Sequence, residues 1–444
     1  MFKFYKSLYL QPRFFAVIIT LIVAFALGAS FAPLFLIGQI SVFALAVFLL
    51  LDIVILYQKK SGVAGQRIVP ERLSNGDENE IKIFLENNYS YSVHVKVVDE
   101  IPHQFQKRDL KFFLFLPSSE RKWLNYSLRP VERGEYSFGG VNVFVSAIIG
   151  LVARRYIFSN DKMVPVYPSF LQMRKYELLA FTNRLSDYGL KKIRRIGHSM
   201  EFEKIREYVK GDDYRTINWK ATARKNQLMV NQFQDEKSQH VYSVIDKGRL
   251  MKMPFEGLTL LDYSINAALV ISNIALKKGD KPGLISFSEK VNTMLPAESR
   301  ATQMSKIQEA LYREKTNFME ANYEMLNAAL IGKLSQRSLI LLYTNFESLQ
   351  SMRRQLKYIK SIAGKHLVVV IFFENTELKS LITDPAENTE MIYQKTIAEK
   401  FAFEKRQIVK ELKQHGIYSI LTTPQQLTVN TINKYLELKA RDFM

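Results

Sequence analysis

Between Phe14 and Leu51 the chain carries no charged residue. No other feature restricts its fold so strongly. A helix crossing a bilayer needs about 20 consecutive apolar residues, and this run is long enough for nearly two. Gly28-Ala29-Ser30-Phe31-Ala32-Pro33 interrupts it at the centre, with glycine and proline as helix breakers. The pattern predicts an N-terminal transmembrane helical hairpin: one span over residues 14–32, a tight turn near Pro33, and a second span over 34–57. Asp52 falls near the end of the second span, within reach of the interface. Lys3, Lys6 and Arg13 precede the first span; Lys59, Lys60 and Arg67 follow the second. Cations gather on the cytoplasmic side of a membrane. The expectation is therefore a multi-pass membrane protein with its soluble domains facing the cytoplasm. A cleaved signal peptide shares the Lys-rich start and the first apolar run. It does not account for a second apolar run that follows without a polar gap.

The 444 residues leave room for two or three further domains. Cysteine is absent, which excludes disulfides, thiolate metal sites and thiol nucleophiles. The 62 Lys and Arg outnumber the 43 Asp and Glu, giving a net charge of +19 that calls for an acidic partner surface. The basic residues are spread along the chain without an arginine-rich tract or a nucleic-acid fold signature. Anionic headgroups of the lipid bilayer account for the excess, and no nucleic acid is expected.

Residues 61–170 read as β. Ile81-Lys82-Ile83-Phe84-Leu85, Val93-His94-Val95-Lys96-Val97 and Val141-Asn142-Val143-Phe144-Val145 alternate as half-buried strands do. Turn residues at Asn87-Asn88, Pro117-Ser118-Ser119, Arg133-Gly134 and Gly139-Gly140 punctuate them. A small β-sandwich of five to seven strands is expected, acting as a scaffold. Residues 171–240 read as a helical, loop-rich connecting segment. From 241 to 444 strands and helices alternate. Strands are expected at Val241–Ile245, Pro282–Phe287, Ser338–Tyr343, Leu367–Phe373 and Ile417–Leu421. The helices between them are expected at Leu260–Leu276, Thr302–Arg313, Tyr323–Leu334, Leu349–Ala363, Thr396–Gln414 and Gln425–Lys439. Uniformly apolar strands between amphipathic helices imply an α/β domain with a Rossmann-type parallel sheet covered on both faces. Ligands of such sheets bind beyond the carboxyl ends of the strands.

The connecting segment holds the densest cluster of polar and aromatic residues. Gly211-Asp212-Asp213, Arg215, Asn218-Trp219-Lys220 and Ala223-Arg224 lie within fourteen positions, together with one of the two tryptophans. The plain reading is a salt-bridged surface turn, Asp213 with Arg215 for example, that clamps two domains. The longer pattern resembles the signature of the bacterial family catalogued as domain of unknown function 58. That signature runs G-x-E-F-x-x-L-R-x-Y-x-x-G-D-D-x-R-x-I-D-W-x-x-x-A-R. Glu201, Phe202, Arg206, Tyr208, Gly211, Asp212, Asp213, Arg215, Ile217, Trp219, Ala223 and Arg224 match it. Gly197 is displaced by about a residue, Ile205 stands for Leu, and Asn218 stands where Asp is usual.

The resemblance implies a von Willebrand factor A-like domain at residues 241–444. Many such domains hold a divalent cation, Mg²⁺ for instance, on an Asp-x-Ser-x-Ser turn with a later Thr and Asp. Here Asp246 is followed by Lys247-Gly248-Arg249, Asn345 stands where the later Asp belongs, and Thr316 is the remaining candidate. Cations and an amide in place of hydroxyls and a carboxylate weaken a site for a hard ion. A degenerate site is expected, with Asp246 paired to Lys247 or Arg249 and no cofactor.

Motifs for catalysis are missing. The six histidines show no i, i+3 or i, i+4 pairing, and neither a phosphate loop nor a G-x-S-x-G turn is present. The expected role is a non-enzymatic, membrane-anchored adaptor. The resemblance implies a MoxR-type AAA+ ATPase as partner, with other membrane proteins, in chaperone-like complex assembly. Contacts are expected at Arg215, Trp219, Lys220 and Arg224, oriented by Asp212 and Asp213. The alternative is a metal-dependent ligand-binding or adhesion module of the von Willebrand factor A type.

Overall fold

The computed structural model describes every residue except 1, 29–31, 108–109, 159–160, 182–200, 210–211, 213, 215–216, 235–237, 317, 377–381, 384, 386–387 and 442–444. Of 2–3, 32, 178–181, 201–204 and 232–234 it describes the backbone. Contacts divide the chain into two compact units, Met1–Tyr167 and Pro168–Met444. The apolar N-terminus thus shares a unit with the β-rich region, and the signature segment shares one with the α/β region.

The first unit opens with α1 (Phe2–Ser7), β1 (Leu8–Leu10), α2 (Pro12–Gly28) and α3 (Ala32–Tyr57). Pro33–Tyr57 is long and apolar enough to cross a membrane; Pro12–Gly28 is apolar but shorter. The expected turn falls partly on residues 29–31, outside the described residues. The two helices touch through small residues: a Cβ on Gly38 would stand 3.0 Å from the Phe25 ring. Next come β2 (Val63–Ile68), β3 (Leu73–Ser74), β4 (Asn79–Asn87), β5 (Val93–Asp99), β6 (Lys111–Leu116) and β7 (Arg121–Leu128). The unit ends with β8 (Gly134–Phe138), β9 (Val141–Ser146), β10 (Val152–Phe158) and β11 (Lys162–Tyr167). They form three sheets, ordered β1-β10-β9-β5-β6, β2-β4-β7 and β3-β11-β8. The first two press alternate residues into one core, among them Val95, Val143 and Val152 from one and Ile83, Leu85 and Leu124 from the other. This is the expected alternation, but the described residues of 61–170 hold ten strands, β2–β11, in place of the expected five to seven, and β1 joins them from the segment before the first apolar helix.

The base of α3 is built into this unit. Asp52 is fully buried, and its Oδ2 accepts from the backbone N–H groups of Leu151 and Val152 at 2.9 Å each. The last carbonyls of a helix lack partners within it. Here the Tyr91 hydroxyl donates to the Ile55 carbonyl at 3.0 Å and the Tyr89 hydroxyl to that of Leu56 at 2.7 Å. Arg154 donates to the carbonyls of Leu56, Lys59 and Lys60. Leu45, Leu49 and Ile53 on α3 pack on the same core.

The second unit carries α4 (Phe170–Phe181), β12 (Glu201–Glu207), α5 (Trp219–Lys225) and β13 (Met229–Gln234). The α/β part follows with β14 (His240–Asp246), β15 (Pro254–Phe255), β16 (Leu258–Thr259), α6 (Leu260–Lys277), β17 (Lys281–Phe287), β18 (Val291–Leu295) and α7 (Gln303–Arg313). It ends with α8 (Tyr323–Lys333), β19 (Leu339–Tyr343), α9 (Leu349–Lys365), β20 (Leu367–Phe373), α10 (Thr389–Gln414), β21 (Tyr418–Thr422) and α11 (Leu427–Ala440). One six-stranded sheet runs β18-β17-β14-β19-β20-β21, parallel except for β18 at the edge. Helices α6, α7 and α11 pack on one face and α8, α9 and α10 on the other. Residues 241–246 are buried along their whole length, as expected of a strand covered on both sides.

Two expectations need correction. The segment 171–240 is not simply helix and loop, because β12 and β13 pair as an antiparallel hairpin. Strand β18 was not expected; its short Val-Asn-Thr-Met-Leu run acquires strand character by pairing with β17. In both cases the pairing is between segments, and a local pattern does not display it. Helix α10 also begins at Thr389, seven residues before the expected start.

The α3 junction yields a test. Asp52→Ala leaves the Leu151 and Val152 N–H groups buried without an acceptor, at a cost of about 1–3 kcal/mol for each unpaired group. Asp52→Asn keeps an acceptor oxygen and should unfold near the wild-type temperature in detergent. Equal melting of the two variants would reject the junction as a stabilising contact.

Candidate functional site

The strand order reverses at β14: β17 lies on one side of it and β19 on the other. A doubly wound sheet opens a crevice at such a switch point, beyond the carboxyl ends of its strands. Asp246 closes β14 there, and Thr344-Asn345 follow β19. A cleft at this end is lined by Asp246, Gly248, Arg249, Tyr323, Asn345, Phe346 and Arg354, among others.

Asp246 is buried and fully engaged. Its Oδ1 accepts from the Gly248 N–H at 2.7 Å and its Oδ2 from the Thr344 hydroxyl at 2.7 Å. The Thr344 and Tyr323 hydroxyl oxygens are 2.6 Å apart. Because the single Thr344 proton goes to Asp246, Tyr323 supplies the proton of that contact. Burial pushes the Asp246 carboxyl up to about 6, against the lowering effect of the Gly248 and Thr344 bonds.

Cations fill the remaining space. Lys247 turns away from Asp246 and pairs with Glu314 at 2.7 Å, both buried. Glu314 in turn accepts from Ser286 at 2.6 Å and Thr293 at 2.7 Å. Arg249 pairs with Glu320 at 3.1 Å near the surface. Lys405, on α10, donates to Asn345 Oδ1 at 2.7 Å and to the Phe346 carbonyl at 2.5 Å. Burial lowers its ammonium to about 8.

The expected partners of Asp246 are thus corrected. Neither Lys247 nor Arg249 pairs with it, since each has a carboxylate of its own. The hydroxyl facing it is that of Thr344, at the strand end, and not that of Thr316. Residues of this kind do not fit a divalent cation. Asp246 spends both carboxylate oxygens on hydrogen bonds, Glu314 is paired with Lys247, and the Asn345 oxygen faces an ammonium group. Among the described residues no group of three or more His, Asp or Glu is placed to hold a metal ion. Lys405 carried no sequence signal, being one lysine among many. Thr344 had a faint one, as a hydroxyl directly after an apolar strand.

The signature lies on the β12–β13 hairpin and α5. Glu201 and Phe202 begin β12; Gly211, Asp213 and Arg215 lie outside the described residues, so the Asp213–Arg215 pair does too. The described ion pair is a different one. Arg206 forks onto both oxygens of Asp212 at 2.7 Å each, and Asp212 also accepts from the Val209 N–H at 2.9 Å. The Arg206 contact holds the Asp212 carboxyl below its ordinary value. The described side-chain partner of Asp212 is thus Arg206. Asn218 caps α5 by accepting from the Ala221 N–H at 3.0 Å. Its amide also donates to Asn231 at 2.8 Å, a bond that an aspartate could not give. Tyr208 is partly buried, whereas Lys220, Ala223 and Arg224 are exposed. Trp219 and Tyr214 are each 70% exposed, with Val209 and Leu228 also open to solvent.

A strand-and-helix domain with an engaged switch point, and a hairpin whose connection carries exposed Tyr214 and Trp219, define this part of the molecule. Residues 204–405 match the model of a family described as "Protein of unknown function DUF58". The uncharacterized protein YeaD of Bacillus subtilis is 27% identical over 245 residues, which is 53% of this chain and 58% of that protein. The chain thus spans under two thirds of that relative's length. Among solved structures, the CARDB domain of PF1109 from Pyrococcus furiosus is 16% identical, with a TM-score of 0.17 over 24% of this chain and 94% of that one. Proximal thread matrix protein 1 from the mussel byssus is 10% identical, with a TM-score of 0.26 over 46% of this chain and 48% of that one. At such scores neither likeness carries an argument.

The switch point predicts a pH dependence. A carboxyl raised from 3.8 to about 6 favours the protonated fold, so this group costs stability as pH rises through that window. The cost reaches about 3 kcal/mol by pH 7, at about 1.4 kcal/mol per unit. Asp246→Asn lacks it. Urea unfolding of the full chain in detergent should show the variant gaining on wild type by that amount between about pH 4 and pH 7. A difference that stays flat with pH rejects the assignment.

Proposed function

We propose that this chain is a non-enzymatic adaptor anchored in a bacterial inner membrane, with both units on the cytoplasmic side. Its N-terminal helices form a hairpin that crosses twice. Strand β1 precedes α2 and β2 follows α3, yet both belong to one folded unit, which favours an even number of crossings. Its α/β part is a von Willebrand factor A-like domain, a reading supported by the doubly wound sheet. The partner is a MoxR-type AAA+ ATPase, as the signature's resemblance implies, acting with this chain on other membrane proteins in complex assembly.

One observation carries the proposal. Trp219 stands exposed on a frame that is itself well braced, by the Arg206–Asp212 fork and the Asn218 cap. Trp and Arg dominate the energetics of protein interfaces. An exposed aromatic ring does little for the fold and is well placed to dock. The adjoining cations Lys220, Arg224 and Lys225 suit an acidic partner surface.

The test uses full-length protein solubilised from its native membrane and lightly cross-linked. Trp219→Ala and Arg224→Glu should each lose the co-purifying ATPase while the melting temperature stays put, since exposed substitutions usually change stability by no more than about 0.5 kcal/mol. Undiminished capture by both variants, or a large drop in melting temperature, would sink the docking role.

A further inference from the structure

We infer that the turn between β9 and β10, together with the end of β6, is a lipid-contacting foot seated in the headgroup layer of the bilayer. The inference rests on the membrane reading above and goes beyond it, because it assigns lipid contact to the β-rich unit and not only to its helices.

Three observations place this rim at the membrane. The Gln11 N–H donates to the Leu151 carbonyl at 2.9 Å, just before α2 begins at Pro12. Gly150 adopts φ +70°, and a Cβ there would stand 2.8 Å from Arg13 Nη1. On the other helix, Asp52 accepts from Leu151 and Val152, while Leu45 and Leu49 pack on the unit's core. The turn at 147–150 therefore lies where both apolar helices meet the sheet. Each α-helical residue advances about 1.5 Å, so Leu45 lies roughly 10 Å further along α3 than Asp52. The β unit thus reaches well past the first charged residue of the span.

Large apolar side chains project from that rim, beside exposed His94. Ile148 is 73% exposed and Phe115 50% exposed. Register brings them to the same edge: Ser146 pairs with His94, and His94 with Phe115. Phe113, two residues back on β6, is more exposed still. Large apolar side chains left in water at this height are costly, whereas burial in the headgroup and acyl boundary removes that cost. Arg13 at the same turn suits anionic headgroups. Aromatic residues at interfacial height also follow the belt seen in membrane proteins.

The chain has no cysteine, so single probes can be placed at will. Ile148→Cys, Phe115→Cys, Phe43→Cys in mid-α3 and Met163→Cys on β11 would each carry a nitrobenzoxadiazole label. The full-length protein is reconstituted in vesicles of phosphatidylethanolamine and phosphatidylglycerol, and quenching by headgroup-borne nitroxide is compared with quenching by aqueous iodide. Labels at 148 and 115 should be quenched several times more strongly by the lipid-borne nitroxide than the label at 163. Iodide quenching at 148 and 115 equal to that at 163, with Phe43→Cys shielded, overturns the foot and leaves the anchor standing. If Phe43→Cys is itself open to iodide, the membrane reading fails and the foot with it. Two independent positions guard against one variant misfolding.

Discussion

Everything in the first unit depends on how the last turn of α3 finds hydrogen-bond donors. A helix end leaves its final carbonyls without partners, and an apolar helix offers no side chains to supply them. Tyr89, Tyr91 and Arg154 do so from the β-rich unit, and Asp52 returns the favour by accepting from the start of β10. The exchange runs both ways. Helix and sheet each satisfy groups that the other leaves open, so neither end of the junction is complete alone. The Arg154 guanidinium also lies over the Tyr57 and Tyr156 rings, which further limits its freedom.

A different constraint shapes the second unit. A doubly wound sheet concentrates polar strand ends at its switch point, and each of these must be satisfied without water. The chain does this with its own residues: Thr344 and Gly248 on Asp246, Glu314 on Lys247, Asn345 and the Phe346 carbonyl on Lys405. Burial acts in opposite directions on the two ionisable groups that lack a charged partner. It raises Asp246 and lowers Lys405, each toward its neutral form. The buried polar groups at the floor of the crevice are thereby satisfied within the chain. The signature hairpin is held by local bonds, the Arg206–Asp212 fork and the Asn218 cap, with the Trp219 ring exposed.

Apolar periodicity carried most of the architecture. The uncharged run to Leu51, the alternating strands near Ile83 and Val95, and the solid apolar strands at 241–245, 339–343 and 367–373 all read directly, since burial on one face or two leaves a pattern in sequence. The hairpin of β12 and β13 did not read, because Glu201–Glu207 acquires its partner more than twenty residues away along the chain. Of the site, Asp246 and Asn345 were legible as the ends of apolar strands. Lys405 was not, and Thr316 stood in for Thr344, because which side chain crosses a crevice depends on strand order.

Composition and spacing alone thus settle where the apolar helices lie, that a parallel sheet forms and that no thiol chemistry is available. Those properties follow from solvent: water and hydrocarbon sort residues by type and period, with no reference to distant segments. Partner choice among charged groups belongs to the tertiary structure. Asp212 takes Arg206, Lys247 takes Glu314 and not Asp246, and β1 joins a sheet formed far beyond it in sequence. Such pairings depend on separations of a few ångströms between segments remote along the chain, and only the folded topology determines them.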